Sequence, residues 1–352
     1  MTTVMDNVMD NMIADAVDQM LQDCCDPQNV RQVEAAPLGH AALTMWETLG
    51  QSGFIDALCP QHLGGADLSW REAAPIVFAC GRYALPLPMA ATMLVRAALA
   101  EASIDAPPDP IAIASAANIL DDGTLVANAV PYGLTAKWVL VSLPVGDRLL
   151  PLDGAARSPF GGRGTLSANI RWPAVPADSI PLSSKTNHAV CWRATAAALV
   201  AAQMAGAMQR VTAMTIDHAN NRNQFGKPIG RQQAIQQQIS VMAAQSFAAR
   251  MAASIALGGA GWQVHPNAAA VAKARAGEAA VLVAAIGHAV HGAIGVTEEF
   301  DLQLYTRRLN EWRMEYGSES YWDGVLGRTL LQGDMTPLDF TRILIAGTHA
   351  AD

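Results

Sequence analysis

The order of apolar and polar positions predicts a chain that is helical, then β, then helical. The opening stretch, MTTVMDNVMDNMIADAVDQML, sets Met, Val, Ile and Leu at helical spacing between acidic residues. Helical patterning continues to about residue 104. Ser69 and Glu72 have capping-box spacing ahead of APIVFACGRYAL, which predicts a helix starting near Trp70, ended by Pro86 and Pro88. Gln61-His62-Leu63-Gly64-Gly65 reads as a turn-rich connector.

From about Pro107 to Pro181 the pattern changes. Short β-prone runs (IAIASA, TLVANAV, KWVLVSL, DRLLPL and TLSANIRW) alternate with turns, and Asp122-Gly123 and Gly146-Asp147 are hairpin-turn candidates. Helical periods then return. One long helix is predicted over about Asn187 to Asn220, broken by no proline and carrying one glycine, Gly206. Phe225 to Gly230 reads as a loop, followed by helices over about Arg231–Ala256 and Asn267–Val290. The predicted fold is mainly α with a small β domain: an N-terminal helical domain (1–106), a middle β domain (107–183) and a C-terminal four-helix bundle (184–352).

Composition adds two constraints. The chain of 352 residues is 51% hydrophobic but only 15% charged, against about 25% charged in ordinary domains. Helices apolar on several faces therefore predict burial against other subunits. The net charge of -8 argues against nucleic acid as a partner, because phosphate backbones need basic stripes. No basic start with an apolar run marks a targeting segment, and polar residues interrupt the apolar stretches, so no membrane span is expected. Cys24, Cys25, Cys59, Cys80 and Cys191 are an odd, scattered set without metal spacing, which suits reduced thiols in a cytoplasm.

Several chemistries lack their motif. There is no GxGxxG, P-loop, HExxH or GxSxG, and the eight histidines are dispersed. His288 and His291 share a helix face without a carboxylate at matching spacing, so no metal site is expected. Two segments are informative. Arg222-Asn223-Gln224-Phe225-Gly226-Lys227-Pro228-Ile229 joins two predicted helices, with Gln233 beyond it. An Arg at such a corner can grip a phosphate bidentately, and the next helix start adds backbone donors. The alternative is a helix C-cap at Gly226 with a solvated Arg222, which elementary physics alone favours. In His291-Gly292-Ala293-Ile294-Gly295-Val296-Thr297-Glu298-Glu299, small residues permit close approach of a flat ligand or a backbone. Thr297 reads as the cap of a new helix with Glu298 and Glu299 in its first turn.

Taken together and in this order, the segments resemble the acyl-CoA dehydrogenase family. Arg222 to Ile235 resembles its R-x-x-F-G-x-x-I...Q-A-I motif, and His291 to Arg307 its h-G-G-x-G-x-T-x-E...R motif. Trp46 to Leu49, Gly50, Gly53, Pro60 and Gly64-Gly65 resemble its N-terminal W-x-x-L...G-x-x-G...P-x-x-x-G-G. The resemblance implies FAD as cofactor and an acyl-CoA thioester as substrate. In the family a carboxylate takes the α proton and the flavin takes the β hydride, and electrons pass to an acceptor such as electron-transfer flavoprotein. It also implies a tetramer, with Arg222, Gln224 and Phe225 reaching the FAD of a neighbouring subunit. Gln233, Gly292, Ala293 and Ser318 join the implied cofactor-binding set.

The departures fall on the chemistry. The family's catalytic Glu precedes a Gly in Y-E-G-T; the matching stretch is Met314-Glu315-Tyr316-Gly317-Ser318, with Tyr316 in the Glu position. Glu315, the remaining candidate base, is one step off and on a helix would point about 100° away. Tyrosine is a poor base near neutrality, its reference pKa being about 10. The earlier base position of some relatives holds Ala196, beside Thr195; Ala289 replaces a common Gln, and the flavin strand T-E-P-x-x-G-S is replaced by IAIASAAN. This combination implies the base-lacking subunit of a heteromeric dehydrogenase of the steroid-degrading kind. A non-catalytic structural subunit and a flavin oxidase on the same scaffold are the other readings.

Overall fold

The computed structural model describes residues 2–182, 191–259, 261–333 and 335–346. It is mainly α with a small β domain, in the predicted order. Helices α1 (Thr2–Cys24), α2 (Pro27–Ala35), α3 (His40–Gln51), α4 (Trp70–Arg82) and α5 (Met89–Glu101) precede the strands. The capping box at the start of α4 forms: Ser69 N donates to Glu72 Oε2 at 2.8 Å. The end of α4 differs from expectation. It stops at Arg82, before either proline, because Ala84 turns left-handed at φ 49° and its N–H closes on Gly81 O.

The β domain is two sheets sharing a core. β1 (Ile111–Ile113), β4 (Trp138–Leu143), β5 (Gly146–Pro151) and β8 (Ile180–Leu182) form one, with β1 parallel to β4. β2 (Asn118–Ile119), β3 (Leu125–Val130), β7 (Ala168–Trp172) and β6 (Ala156–Pro159) form the other. Val139, Val141 and Leu150 from the first sheet meet Leu125, Ala127, Ile170 and Trp172 from the second. The Trp172 indole N–H donates across to Pro151 O at 2.9 Å. The Gly146-Asp147 turn is corrected: Leu143 pairs with Gly146, so Pro144-Val145 makes the two-residue turn and Gly146 and Asp147 belong to β5.

The C-terminal bundle holds α6 (Trp192–Asn221), α7 (Gln233–Ala256), α8 (Pro266–His291), α9 (Leu302–Met314), α10 (Glu319–Gln332) and α11 (Pro337–Ala346). The predicted start of the first long helix, at about Asn187, lies outside the described residues. The lone Gly206 in α6 has a packing cause: a Cβ there would stand 1.9 Å from Phe78 O of α4, and one on Gly81 would stand 1.7 Å from Gln203 O. Only glycines permit this backbone approach. Along α8 the buried positions are mostly alanines, which lets α7 and α10 pack closely. By length and composition alone, α7 and Pro266–Val296 could cross a membrane; in this fold they are helices of the bundle.

The described residues fall into two compact units. One takes in α1 to α3, the first half of α4, α5 and both sheets, within 1–76, 85–196 and 260–263. The other comprises 77–84, 197–259 and 264–352, and contains every implied cofactor residue. None of the five cysteines is in a disulfide. Burial pushes the Cys59 thiol up to about 11 and the Cys80 thiol to about 12, so neither is a ready nucleophile.

Candidate functional site

The loop after α6 is a small hairpin. Arg222 N donates to His218 O at 2.9 Å, which closes the last helical turn. Strands β9 (Asn223–Gln224) and β10 (Lys227–Pro228) then pair antiparallel, with Gln224 opposite Lys227. Phe225 and Gly226 therefore form a two-residue turn, at φ 52° and 76°, the signs that a primed hairpin turn requires. A left-handed conformation is unfavourable for an aromatic residue. It aims the Phe225 ring outward, where it is 91% exposed. Arg222 and Gln224 are exposed beside it, and Gln233 is exposed at the first position of α7.

The second segment starts where α8 ends. Gly292 has φ 63° and ψ -142°, a conformation open in practice only to glycine. A Cβ there would meet nothing, so the backbone angle, and not space, requires the glycine. Ala293 follows, exposed, in a 3-10 turn over Gly292–Val296. The expected Thr297 cap is corrected: its hydroxyl donates back to Ile294 O at 2.8 Å, and the next helix waits until Leu302.

The two segments come together. Ile229, after the hairpin, packs with Ala219 of α6 and Val290 of α8. The imidazoles of His218 and His291 stack at 4.4 Å, with Phe300 against both. Arg222 and the Gly292 turn are thus carried by helix ends locked to each other. Sequence reasoning missed His218. Its place one turn before Arg222 was visible, but its partner lies 73 residues on and was not.

The stretch that the resemblance aligns with the family's base, Met314 to Ser318, forms a turn. The expectation that Glu315 lies on a helix is corrected, because α9 ends at Met314 and Glu315 is extended at ψ 136°. Tyr316 is buried and left-handed at φ 55°, Gly317 follows at φ 111°, and Ser318 caps α10 without a side-chain bond. Beneath this turn lies Lys273 of α8, fully buried, which sequence reasoning also missed among the alanines. Its ammonium donates to Arg313 O at 2.8 Å and Gly317 O at 2.9 Å. Glu315 Oε2 is buried with no hydrogen-bond partner, although part of the residue is exposed. Burial, then repulsion from Glu311, raise the Glu315 carboxyl to about 8 against the pull of Lys273 and Arg308. Burial likewise lowers Lys273 to about 8, opposed by Glu315 and Glu319. The other base position, Ala196, is buried next to Thr195 on α6, and Ala289 is exposed on α8.

A guanidinium, an amide and an exposed ring beside a glycine turn match a ligand that has phosphates and a flat aromatic part. That donor set fits FAD. It does not fit a metal: among the described residues no three His, Cys, Asp or Glu side chains gather to hold one.

Residues 194–330 match the family model for the acyl-CoA dehydrogenase C-terminal domain. The chain is 30% identical over 309 residues to acyl-CoA dehydrogenase IpdE2 of Mycobacterium tuberculosis, covering 84% of this chain and 89% of that protein. Its fold is similar to a chain of the ChsE4–ChsE5 complex of Mycobacterium tuberculosis, at TM-score 0.77 and 20% identity over 93% of this chain and 98% of that one. It is also similar to a chain of the Tcur3481–Tcur3483 steroid ACAD, at TM-score 0.76 and 22% identity over 93% and 99%. With the helical, β, helical order, the Arg222 hairpin and the Gly292 turn already in place, these likenesses settle the family: the chain belongs to the acyl-CoA dehydrogenases.

Proposed function

We propose that this chain is one subunit of a flavin-dependent acyl-CoA dehydrogenase and works at a FAD site shared with a companion chain that supplies the catalytic Glu. The observation that carries the reading is the contrast between its two halves. The loops assigned to the cofactor are intact and exposed, whereas the position assigned to the base holds a buried Tyr316 and the neighbouring Glu315 buries Oε2 without a hydrogen-bond partner. The likeness to a chain of a ChsE4–ChsE5 complex supports a mixed assembly, and the steroid ACAD likeness supports a bulky, steroid-like acyl-CoA as the substrate.

In this reading Arg222 neutralises a phosphate of FAD, Gln224 donates an amide beside it, and Phe225 covers an apolar face of the cofactor. The Gly292–Ala293 backbone permits the same ligand to approach closely; Gln233 and Ser318 are outer members of the set. Bound FAD supplies the hydride acceptor for α,β-dehydrogenation of the thioester. The α proton goes to the companion's carboxylate, since burial raises the Glu315 carboxyl to about 8 and its Oε2 is buried. In this reading the assembly is a cytoplasmic heterotetramer that passes electrons to a flavoprotein acceptor.

The test is to purify the chain alone and with its genomic neighbour, and to follow flavin absorbance while an acyl-CoA is added. The mixed assembly should be yellow and bleach. A lone chain that holds stoichiometric FAD and dehydrogenates at full rate would overturn the reading.

A further inference from the structure

The family motifs do not account for the aromatic joint beneath the two cofactor loops. His218 stands on α6 one turn before Arg222, and His291 is the last residue of α8, directly before Gly292. Their rings stack at 4.4 Å and 28°, and the Phe300 ring closes on both, at 6.3 Å from His218 and 4.9 Å from His291. His291 is 5% exposed, and its Nδ1 lies 2.7 Å from Gly287 O. That carbonyl can only accept, so Nδ1 carries the proton in the neutral ring. Nε2 is buried without a partner at hydrogen-bonding distance.

We propose that the His218–His291 stack is a positioning joint that holds the Arg222 hairpin against the Gly292 turn only while both rings are neutral, so that proton uptake loosens the grip on the dinucleotide. The inference rests on the FAD reading above and extends it to the control of that site. The charged and titratable neighbours that act on the stack point one way. Arg222 faces His218, and His288 on the same face of α8 faces His291. His288 itself is tied through Nε2 to Thr306 of α9 at 2.9 Å. Among the described residues, the charged or titratable groups seen to act on the two rings are Arg222, His288 and the rings themselves. Burial is the first cause that lowers His218, His288 and His291 below their usual value of 6.5. Arg222 adds to it at His218, and the neighbouring histidines add to it at His291, where the backbones of Gly287 and Met214 oppose it. The sign follows: depressed groups contribute stability that is present above pH 6.5 and lost as pH falls through their folded values. Two stacked imidazolium rings beside a guanidinium repel.

The experiment is FAD titration of the full chain in its native assembly from pH 7.5 to 5.5, in wild type, His218→Phe and Arg222→Ala. Phe keeps an aromatic stack without a titrating group. Wild-type affinity should hold above pH 6.5 and fall below it, with a limiting slope of roughly tenfold per pH unit for one coupled proton. His218→Phe should bind like wild type at pH 7.5 and change little toward 5.5. A parallel decline in wild type and His218→Phe overturns the joint while leaving the FAD reading standing. Tighter binding in acid also overturns it, because it would make His218 a direct phosphate ligand. If Arg222→Ala leaves affinity untouched at pH 7.5, the FAD reading fails and the inference with it. Should His218→Phe not fold, NMR of the histidine rings in wild type and Arg222→Ala replaces it. Losing the guanidinium should raise the His218 titration midpoint toward 6.5, and an unmoved midpoint overturns the proposal.

Discussion

At Glu315 and at Lys273, burial drives each group toward its neutral form. A carboxyl raised above its unfolded value of 4.5 contributes stability that is complete below that pH and is lost as pH rises through about 8. Glu315→Gln imitates the protonated form. Its melting temperature should match wild type near pH 4.5, and its advantage should widen toward pH 8. A constant offset across that range would contradict the burial of the carboxyl. Tyr316→Phe should leave the turnover of the assembly unchanged, since the proposed reading gives the base to the companion chain; a large loss of kcat would show otherwise. Arg222→Ala should cost a charge-assisted contact, about 2 kcal/mol or roughly 30-fold in the dissociation constant for FAD. The residues of this site that sequence could disclose are those whose role is local. Arg222 and Gly292 sit in short runs with their own turn chemistry. Lys273 and His218 draw their roles from groups brought close by folding, such as Gly317 O and His291, and no spacing rule reaches that far.

Among the elements, the α4–α6 crossing is the most constrained. Gly81 and Gly206 let the two backbones touch, and a methyl at either would overlap a carbonyl oxygen of the other helix. Gly206→Ala should therefore destabilise, although alanine is the better helix former by about 1 kcal/mol. Forced separation of packed backbones costs about 1–3 kcal/mol or more, so thermal melts should show a net loss. An unchanged or raised midpoint would mean that the helices do not meet there. Elements with a long period were legible from the chain. The three bundle helices α6, α7 and α8 lie where their apolar spacing predicts, and the five β-prone runs became β1, β3, β4, β5 and β7. β2, β6 and β8 were not, because two to four residues carry no usable alternation. The Gly146-Asp147 turn failed for a related reason: a strand starting at glycine looks like a turn, while Pro144-Val145 does the turning.

At the scale of the whole molecule, the light charge acquires a use. Val241, Phe247 and Met251 on α7 and Val281 and Leu282 on α8 are large, apolar and exposed. The Phe225 ring stands almost wholly in solvent at the hairpin. A lone chain would expose these groups to water, and an assembly would cover them. The fold was legible because helical and β patterns occupy separate stretches of the chain. The proposed division of labour is a different kind of inference, drawn from an exposed Arg222 hairpin that resembles the family's cofactor loop and from Tyr316 where the resemblance expects a Glu. Anaerobic mixing of an acyl-CoA with the FAD-loaded proteins, read as bleaching of the flavin band, tests it most directly. The account predicts rapid bleaching by the chain with its companion and none by this chain alone. Full-rate bleaching by this chain alone, abolished by Glu315→Gln, would contradict it.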